Sequence, residues 1–465
     1  MLPLATVPAP CPPPGEVRRA YVAAVGPNAL ARYHLSGRGA GTRTEAWIGN
    51  GELLISQNER GFRQSWSDTV STSTHTLPNG FEGRALPWRV SARYAAVRAL
   101  LGELTAVEPV SVRCVREHRI RRPVLDYNVN GVRVPIALDP ASSLPHRIQA
   151  FSPEHRFAGT WFTGISYRRV AGVAVPFAWQ TPFQRFAFQS ANLWAAPPTL
   201  PAIAVRPPIS HRVLIPAIRP LAANQTAVSV TVEGHRFRFF VDSGATVTVI
   251  DERVAALLRL KRVGHGRTLQ ITGAVRADPA FIPAMRIGPL RLKNEPVLIA
   301  QQTFGYDGMI GSSLFALGKV TLTKHGVVLE PRTAAMLARH AIRIDTYDGI
   351  PFATARVGRK TADVLLDSGA AFEGLLPSRF IGRARLLAKQ TSVCNIYGVP
   401  HWMVAGYFSV AGLQFGSQPW PVRACLSYGD QIHFVDGILG HAALIEAGAT
   451  FDYLDGTVTL RRTRK

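Results

Sequence analysis

The chain has 465 residues, of which 47% are hydrophobic and 18% charged, and a formal charge of +23. That balance excludes a disordered chain, which lacks the apolar residues to build a core, and the length asks for about three domains. No stretch supplies the roughly 18 uninterrupted apolar residues of a membrane helix, so no transmembrane segment is expected.

The positive charge is almost all arginine spread along the chain, and the first lysine is Lys261. The densest patches, "RCVREHRIRRP" (113–123) and the tail "RRTRK", sit in no nucleic-acid-binding motif, so specific nucleic-acid binding is not expected. The four cysteines, Cys11, Cys114, Cys394 and Cys425, form no Cys-x-x-Cys pair, and the thirteen histidines form no His-x-x-x-His pair. No metal site is expected. Cys394 and Cys425 share the C-terminal segment; a disulfide between them and two buried thiols both remain open.

In chain order, "MLPLATVPAPCPPPGE" is short and Pro-rich and lacks the basic start of a signal peptide. Residues 1–20 read as a leader or disordered segment. Residues 21–190 carry short β-like runs: "RTEAWIG" before Asn50-Gly51, "PVLDYNV" before Asn130-Gly131, then "VRVPIAL". Asn-Gly between such runs predicts hairpins. "SARYAAVRALLGEL" (91–104) has helical spacing and stops near Gly102. This region reads as a β-rich N-terminal domain with a helix. Closely spaced prolines over 193–220 remove backbone donors and mark 191–215 as a linker.

After the linker the sequence repeats. "AVSVTVEGHRFRFFVDSGATVTVI" and "PFATARVGRKTADVLLDSGAAFEGLL" both read as strand, tight turn at Gly234 or Gly358, strand, then Asp-Ser-Gly-Ala. Each is followed by an Asp-Gly-apolar-apolar-Gly run, "DGMIG" at 307–311 and "DGILG" at 436–440. Asp242 and Asp307 stand 65 residues apart, Asp367 and Asp436 stand 69 apart. An internal repeat of this kind implies two copies of one supersecondary unit. The copies differ after the turn, where "TVTVI" faces "AAFEGLL" with Glu373 and Gly374, and "GSSLF" faces "GHAAL", whose His441 is expected to begin a helix.

On these motifs, residues 216–465 resemble two retropepsin-like aspartic protease lobes, of the pepsin-like clan, fused in one chain, as in bacterial aspartyl protease family proteins. The resemblance implies a mainly β fold, two acid-protease β-barrel lobes (216–335 and 336–465) with pseudo-twofold symmetry. Diffuse Trp, Gly and Phe placement in 21–190 also distantly resembles the curved sheets of periplasmic lipoprotein carriers.

Two neighbouring carboxyls sharing one proton can take a proton from water and give one to a peptide carbonyl, a pairing for which aspartic proteases are the standard example. The resemblance makes Asp242 and Asp367 that pair. Ser243 and Ser368 would bond across the two loops, and Gly244 and Gly369 would allow the tight turn. Asp307 and Asp436 are expected to be turn residues. Flap candidates are Thr272-Gly273 in "LQITGAVRADPAFI" and Tyr397-Gly398 in "TSVCNIYGVPHWMV". The expected function is an aspartic endopeptidase acting on peptide or protein substrates without cofactor, a monomer built as a pseudo-dimer, in an extracytoplasmic (periplasmic or secreted) setting. Its alternatives are a noncatalytic peptide-binding or scaffold protein and an N-terminal domain that holds an apolar ligand.

Overall fold

The structure, a computed structural model, describes residues 11–26, 32–39, 42–49, 52–117, 120–152, 160–181, 185–193, 203, 206–221, 225–270, 273–301, 305–332, 341–357, 360–377, 404–410, 413–415, 418–419, 422–427 and 436–460. The protein is mainly β.

Among the described residues, two antiparallel sheets of seven strands each make the N-terminal region. Strand to neighbouring strand, the first runs Ser190–Leu193, Tyr33–Gly39, Thr42–Gly49, Glu52–Glu59, Phe62–Asp68, Ser73–Thr76, Glu82–Arg84. The second runs Arg185–Ala187, Val173–Gln180, Thr160–Val170, Pro145–Ala150, Val132–Leu138, Ile120–Val129, Ser111–Glu117. At the expected Asn130-Gly131 hairpin both residues take positive φ, 51° and 84°, and Val129 pairs with Val132. That is the primed two-residue turn whose twist suits a hairpin. The strands flanking Asn50-Gly51 also pair, Gly49 with Glu52, while the two turn residues lie outside the described residues.

Helix α1 (Pro14–Val25) buries Val17, Tyr21 and Val25, one face at four-residue spacing. Residues 14–20, within the span 1–20 expected to be a leader or disordered segment, thus lie in a helix with a buried face. The expected helix is α2, which covers Pro87–Leu100 and starts earlier than 91 because Pro87 occupies its first turn. Gly102, at φ 75°, stops it. α2 packs on strands of both sheets. Ala92, Ala95, Ala96 and Ala99 are fully buried, and their small side chains let both sheets approach the helix.

A disulfide joins Cys11, just before α1, to Cys114 on Ser111–Glu117, across 103 residues of sequence. The cysteine reading missed this pair. Cys394 lies outside the described residues, and Cys425 lies on Val422–Ser427. Closing so long a loop restricts the unfolded chain, so Cys114→Ser is expected to lower unfolding stability by about 2–4 kcal/mol. Equilibrium denaturation of the oxidised protein and the variant checks this.

In the C-terminal region, six strands pair in the order Val213–Ile218, Gly326–Glu330, Lys319–Thr323, Thr450–Asp452, Thr457–Thr459, Ala341–Asp345. The first of these begins within the span 191–215 expected to be a linker. At the centre Thr321 pairs with Thr450 and their hydroxyls lie 2.7 Å apart. The two sequence copies flank this sheet with the same pairings. Ala227–Val232 and His235–Val241 form a hairpin through Glu233-Gly234 (φ 49° and 83°), and His235–Val241 runs parallel to Gly308–Ile310. Thr248–Asp251 is parallel to Leu290–Ala300 and antiparallel to Gly308–Ile310. Correspondingly, Phe352–Val357 and Lys360–Leu366 pair, and Lys360–Leu366 is parallel to Gly437–Leu439. Gly374–Pro377 is parallel to Val422–Ser427 and antiparallel to Gly437–Leu439.

The two regions exchange side chains. Leu77 and Phe81 of the N-terminal region belong to the C-terminal core, and Tyr347 of the C-terminal region belongs to the N-terminal core. Phe62 and Phe281 also pack ring to ring, with centroids 5.9 Å apart. Among the described residues no helix is long and apolar enough to cross a membrane.

Candidate active site

Each Asp-Ser-Gly turn ends an apolar strand whose buried residues drive it into the core. Asp242 follows His235–Val241, and Asp367 follows Lys360–Leu366. The Asp242 N–H donates to Ile310 O (3.0 Å) and that of Asp367 to Leu439 O (2.8 Å), so each turn is held by its own Gly-containing run.

The two turns then bond to one another. Ser243 Oγ donates to Leu366 O (2.6 Å) and Ser368 Oγ donates to Val241 O (2.9 Å). In return each hydroxyl accepts the other serine's backbone N–H at 2.8 Å. Both serines are fully buried, so every bond lost here would leave a polar group unpaired, at about 1–3 kcal/mol each.

Backbone N–H groups of the turns hold each carboxyl. Asp242 Oδ1 accepts the Gly244 N–H at 2.7 Å, while Asp367 Oδ1 accepts those of Gly369 (2.8 Å) and Ala370 (3.1 Å). The two carboxyls also hydrogen-bond each other. Burial raises the Asp242 carboxyl well above its usual range and the charge of Asp367 raises it further; burial also raises Asp367.

Neither Gly244 nor Gly369 has a positive φ; what they supply is space. A Cβ on Gly369 would sit 2.4–2.6 Å from the Asp242 carboxyl atoms, and one on Gly244 would sit 2.9–3.1 Å from those of Asp367. Each carboxyl therefore lies against the opposite turn's glycine.

Asp307 and Asp436 stay apart from this pair. Asp307 Oδ2 accepts the Arg238 N–H (2.8 Å) and Asp436 Oδ2 that of Asp363 (2.9 Å), so each ties its Asp-Gly run to a strand far away in sequence. Of the flap candidates, Thr272, Tyr397 and Gly398 lie outside the described residues. Gly273 begins the returning strand of a hairpin, Arg267–Gln270 with Gly273–Arg276. At its root the buried carboxylate of Asp278 is held by Arg276 (2.6 Å) and Arg262 (3.2 Å).

Several supporting residues carried no local signal in the sequence. His441 begins helix α3 (His441–Glu446), as expected. Its ring is buried and its Nε2 lies 3.3 Å from Thr226 Oγ1; burial holds its pKa down at about 4. Gln225 Nε2 donates to Gly369 O (2.7 Å), and the Tyr453 hydroxyl donates to Ser243 O (3.0 Å). Only the fold places these side chains beside the turns.

No curated protein matches the chain. A family model described as aspartyl protease matches residues 228–314, a span that contains Asp242, its Ser-Gly turn and the 307–311 run, and the match supports an aspartyl protease fold and a protease-type function.

Proposed function

We propose that the chain is a single-chain aspartic endopeptidase in which Asp242 and Asp367, one from each of two pseudo-symmetric lobes, activate one water. The observation that carries this reading is the reciprocal Ser243–Ser368 bonding that holds two hydrogen-bonded, buried carboxyls face to face. Like charges at this range do not both ionise. The pair rests with one proton shared between them, since burial raises both carboxyls. The ionised partner takes a proton from water as it attacks the peptide carbonyl, and the protonated one gives its proton to the carbonyl oxygen. The pair titrates as a unit.

Six strands centred on Thr321 and Thr450 support reading the two copies as lobes related by a pseudo-twofold axis. With both copies in one chain the site needs no second subunit, so the working form is a monomer. The Arg267–Arg276 hairpin suits a flap, against which an extended peptide would bond as an added strand with side chains in alternating pockets. The Cys11–Cys114 disulfide supports an oxidising, extracytoplasmic setting. The deciding experiment is peptide cleavage by wild type, Asp242→Asn and Asp367→Asn across acidic to neutral pH. A statin-type inhibitor that binds while no cleavage is seen would favour a noncatalytic peptide-binding protein.

The shifts define the pH dependence. Both carboxyls are raised above 3.8, so the singly protonated window lies above pH 3.8, with kcat falling on the acid side as the second proton binds and on the alkaline side as the last one leaves. Stability carries an opposing term from His441. Its pKa is about 4 folded and 6.5 when free, so the stabilising neutral ring is fully present above pH 6.5 and its contribution is lost as pH falls toward 4. That loss amounts to about 3 kcal/mol. Replacing His441 by Gln is expected to flatten stability between pH 6.5 and 4, checked by denaturation at each pH.

A further inference from the structure

We propose that Asn79, carried by the N-terminal region, is a positioning residue for the first active-site turn and acts through Ser312. For catalysis this rests on the endopeptidase reading above; for the geometry of the two carboxyls it does not.

Asn79 is buried in the junction between the two regions. Its Nδ2 donates to Ser312 Oγ (3.0 Å) and Ser313 Oγ (3.1 Å), and its Oδ1 accepts the Phe81 N–H (3.0 Å). Ser312 in turn donates its hydroxyl to Thr246 O and its N–H to Ala245 O (3.0 Å), the two residues that follow the Asp-Ser-Gly turn. A hydroxyl has one hydrogen. Since that of Ser312 goes to Thr246, the group facing it must be a donor, and the Asn79 amide is one. Both amide hydrogens and the amide oxygen are used, so neither Asp nor a shorter side chain reproduces the set.

The same segment reaches the other side of the turn. Phe81 packs against Tyr453 (5.7 Å between centroids), whose hydroxyl donates to Ser243 O. The first turn is thus braced on both flanks by residues that touch the segment around Asn79. The second turn is braced from elsewhere: His441 N–H donates to Ala370 O (2.9 Å), matching Ser312 on Ala245, but its ring meets Thr226 while Gln225 bonds Gly369. Among the described residues, these bonds tie the first turn and not the second to the segment around Asn79, and moving the first turn changes how strongly the two carboxyls repel.

The test uses the full chain with Asn79→Asp, Asn79→Ala, the milder Asn79→Ser, Ser312→Ala and Asn79→Ala/Ser312→Ala. Carbon-13 NMR titration of the aspartate carboxyls is expected to show the upper step of the coupled pair lowered by about half a pH unit or more as the carboxyls separate. Per active site titrated with a statin-type inhibitor, kcat is expected to fall about 10-fold with KM within about twofold, a displacement effect, and the double variant is expected to be no worse than the single ones. Wild-type titration and kcat per titrated site in the folded variants, whatever happens to Tm, would overturn the proposal. Should Asp242→Asn cleave like wild type, the endopeptidase reading falls, and the carboxyl titration still decides the role of Asn79. If Asp and Ala variants fail to fold, the Asn79→Ser titration decides it.

Discussion

Replacing Asp242 or Asp367 by Asn is expected to lower kcat for peptide hydrolysis by about 10³-fold or more, since each substitution removes one half of the proton exchange, worth ~10²–10⁴-fold in general acid–base catalysis. KM is expected to change little. Stability separates the chemical effect from unfolding. The Asp242 carboxyl is raised in the folded protein, so it favours the folded state below the usual carboxylate pKa of 3.8, and this contribution is lost as pH rises through its folded value. A neutral amide does not ionise, so Asp242→Asn is expected to melt at or above the wild-type temperature at pH 7 while its activity is lost. Kinetics with a peptide library, read beside thermal melts, checks both. Wild-type turnover in either variant would remove the pair from the mechanism.

The second large effect concerns the junction of the two regions. Asp345 is completely buried and binds Arg89 Nη1 (2.7 Å), with its oxygens also accepting the Leu86 (2.9 Å) and Tyr347 (3.1 Å) N–H groups. Arg89 reaches Asp348 as well (3.2 Å), and Arg93, paired bidentately with Asp68 at 2.7 and 2.8 Å, lies over the Tyr347 ring at 4.1 Å. Asp345→Ala leaves a largely buried guanidinium short of a partner and two N–H groups unbonded. Breaking such a pair costs about 3–5 kcal/mol, whereas removing both charges is milder. Denaturation is expected to show that loss for Asp345→Ala and a smaller one for Asp345→Ala/Arg89→Leu. A loss under about 1 kcal/mol for the single variant would mean that the ion pairs do not hold the junction.

Much of the site was legible because its signals are local. An apolar strand running into Asp-Ser-Gly, followed at 65 and 69 residues by Asp-Gly-apolar-apolar-Gly, carries its own register, and Asn130-Gly131 and Gly102 mark a hairpin and a helix end through backbone conformations few residues adopt. Gly244 and Gly369 are expected from the sequence to allow a tight turn; that each also leaves room for the opposite carboxyl shows only in the fold. The Cys11–Cys114 disulfide was missed because 103 residues of sequence separate the pair, and only the fold brings Cys114 on a sheet strand beside Cys11 at the foot of α1.

By itself, then, the sequence determined many of the strands and tight turns, because these follow from side-chain periodicity and from backbone preferences within a few residues, and its repeated Asp-Ser-Gly motif points to the two residues proposed to share a proton. The tertiary structure decided which groups surround that pair. Asn79 meets Ser312 across 233 residues and Thr226 meets His441 across 215. Hydrogen bonds over such separations leave no pattern in the chain, since any serine, threonine or asparagine can make them, and only packing both regions into shared cores brings these particular ones within reach.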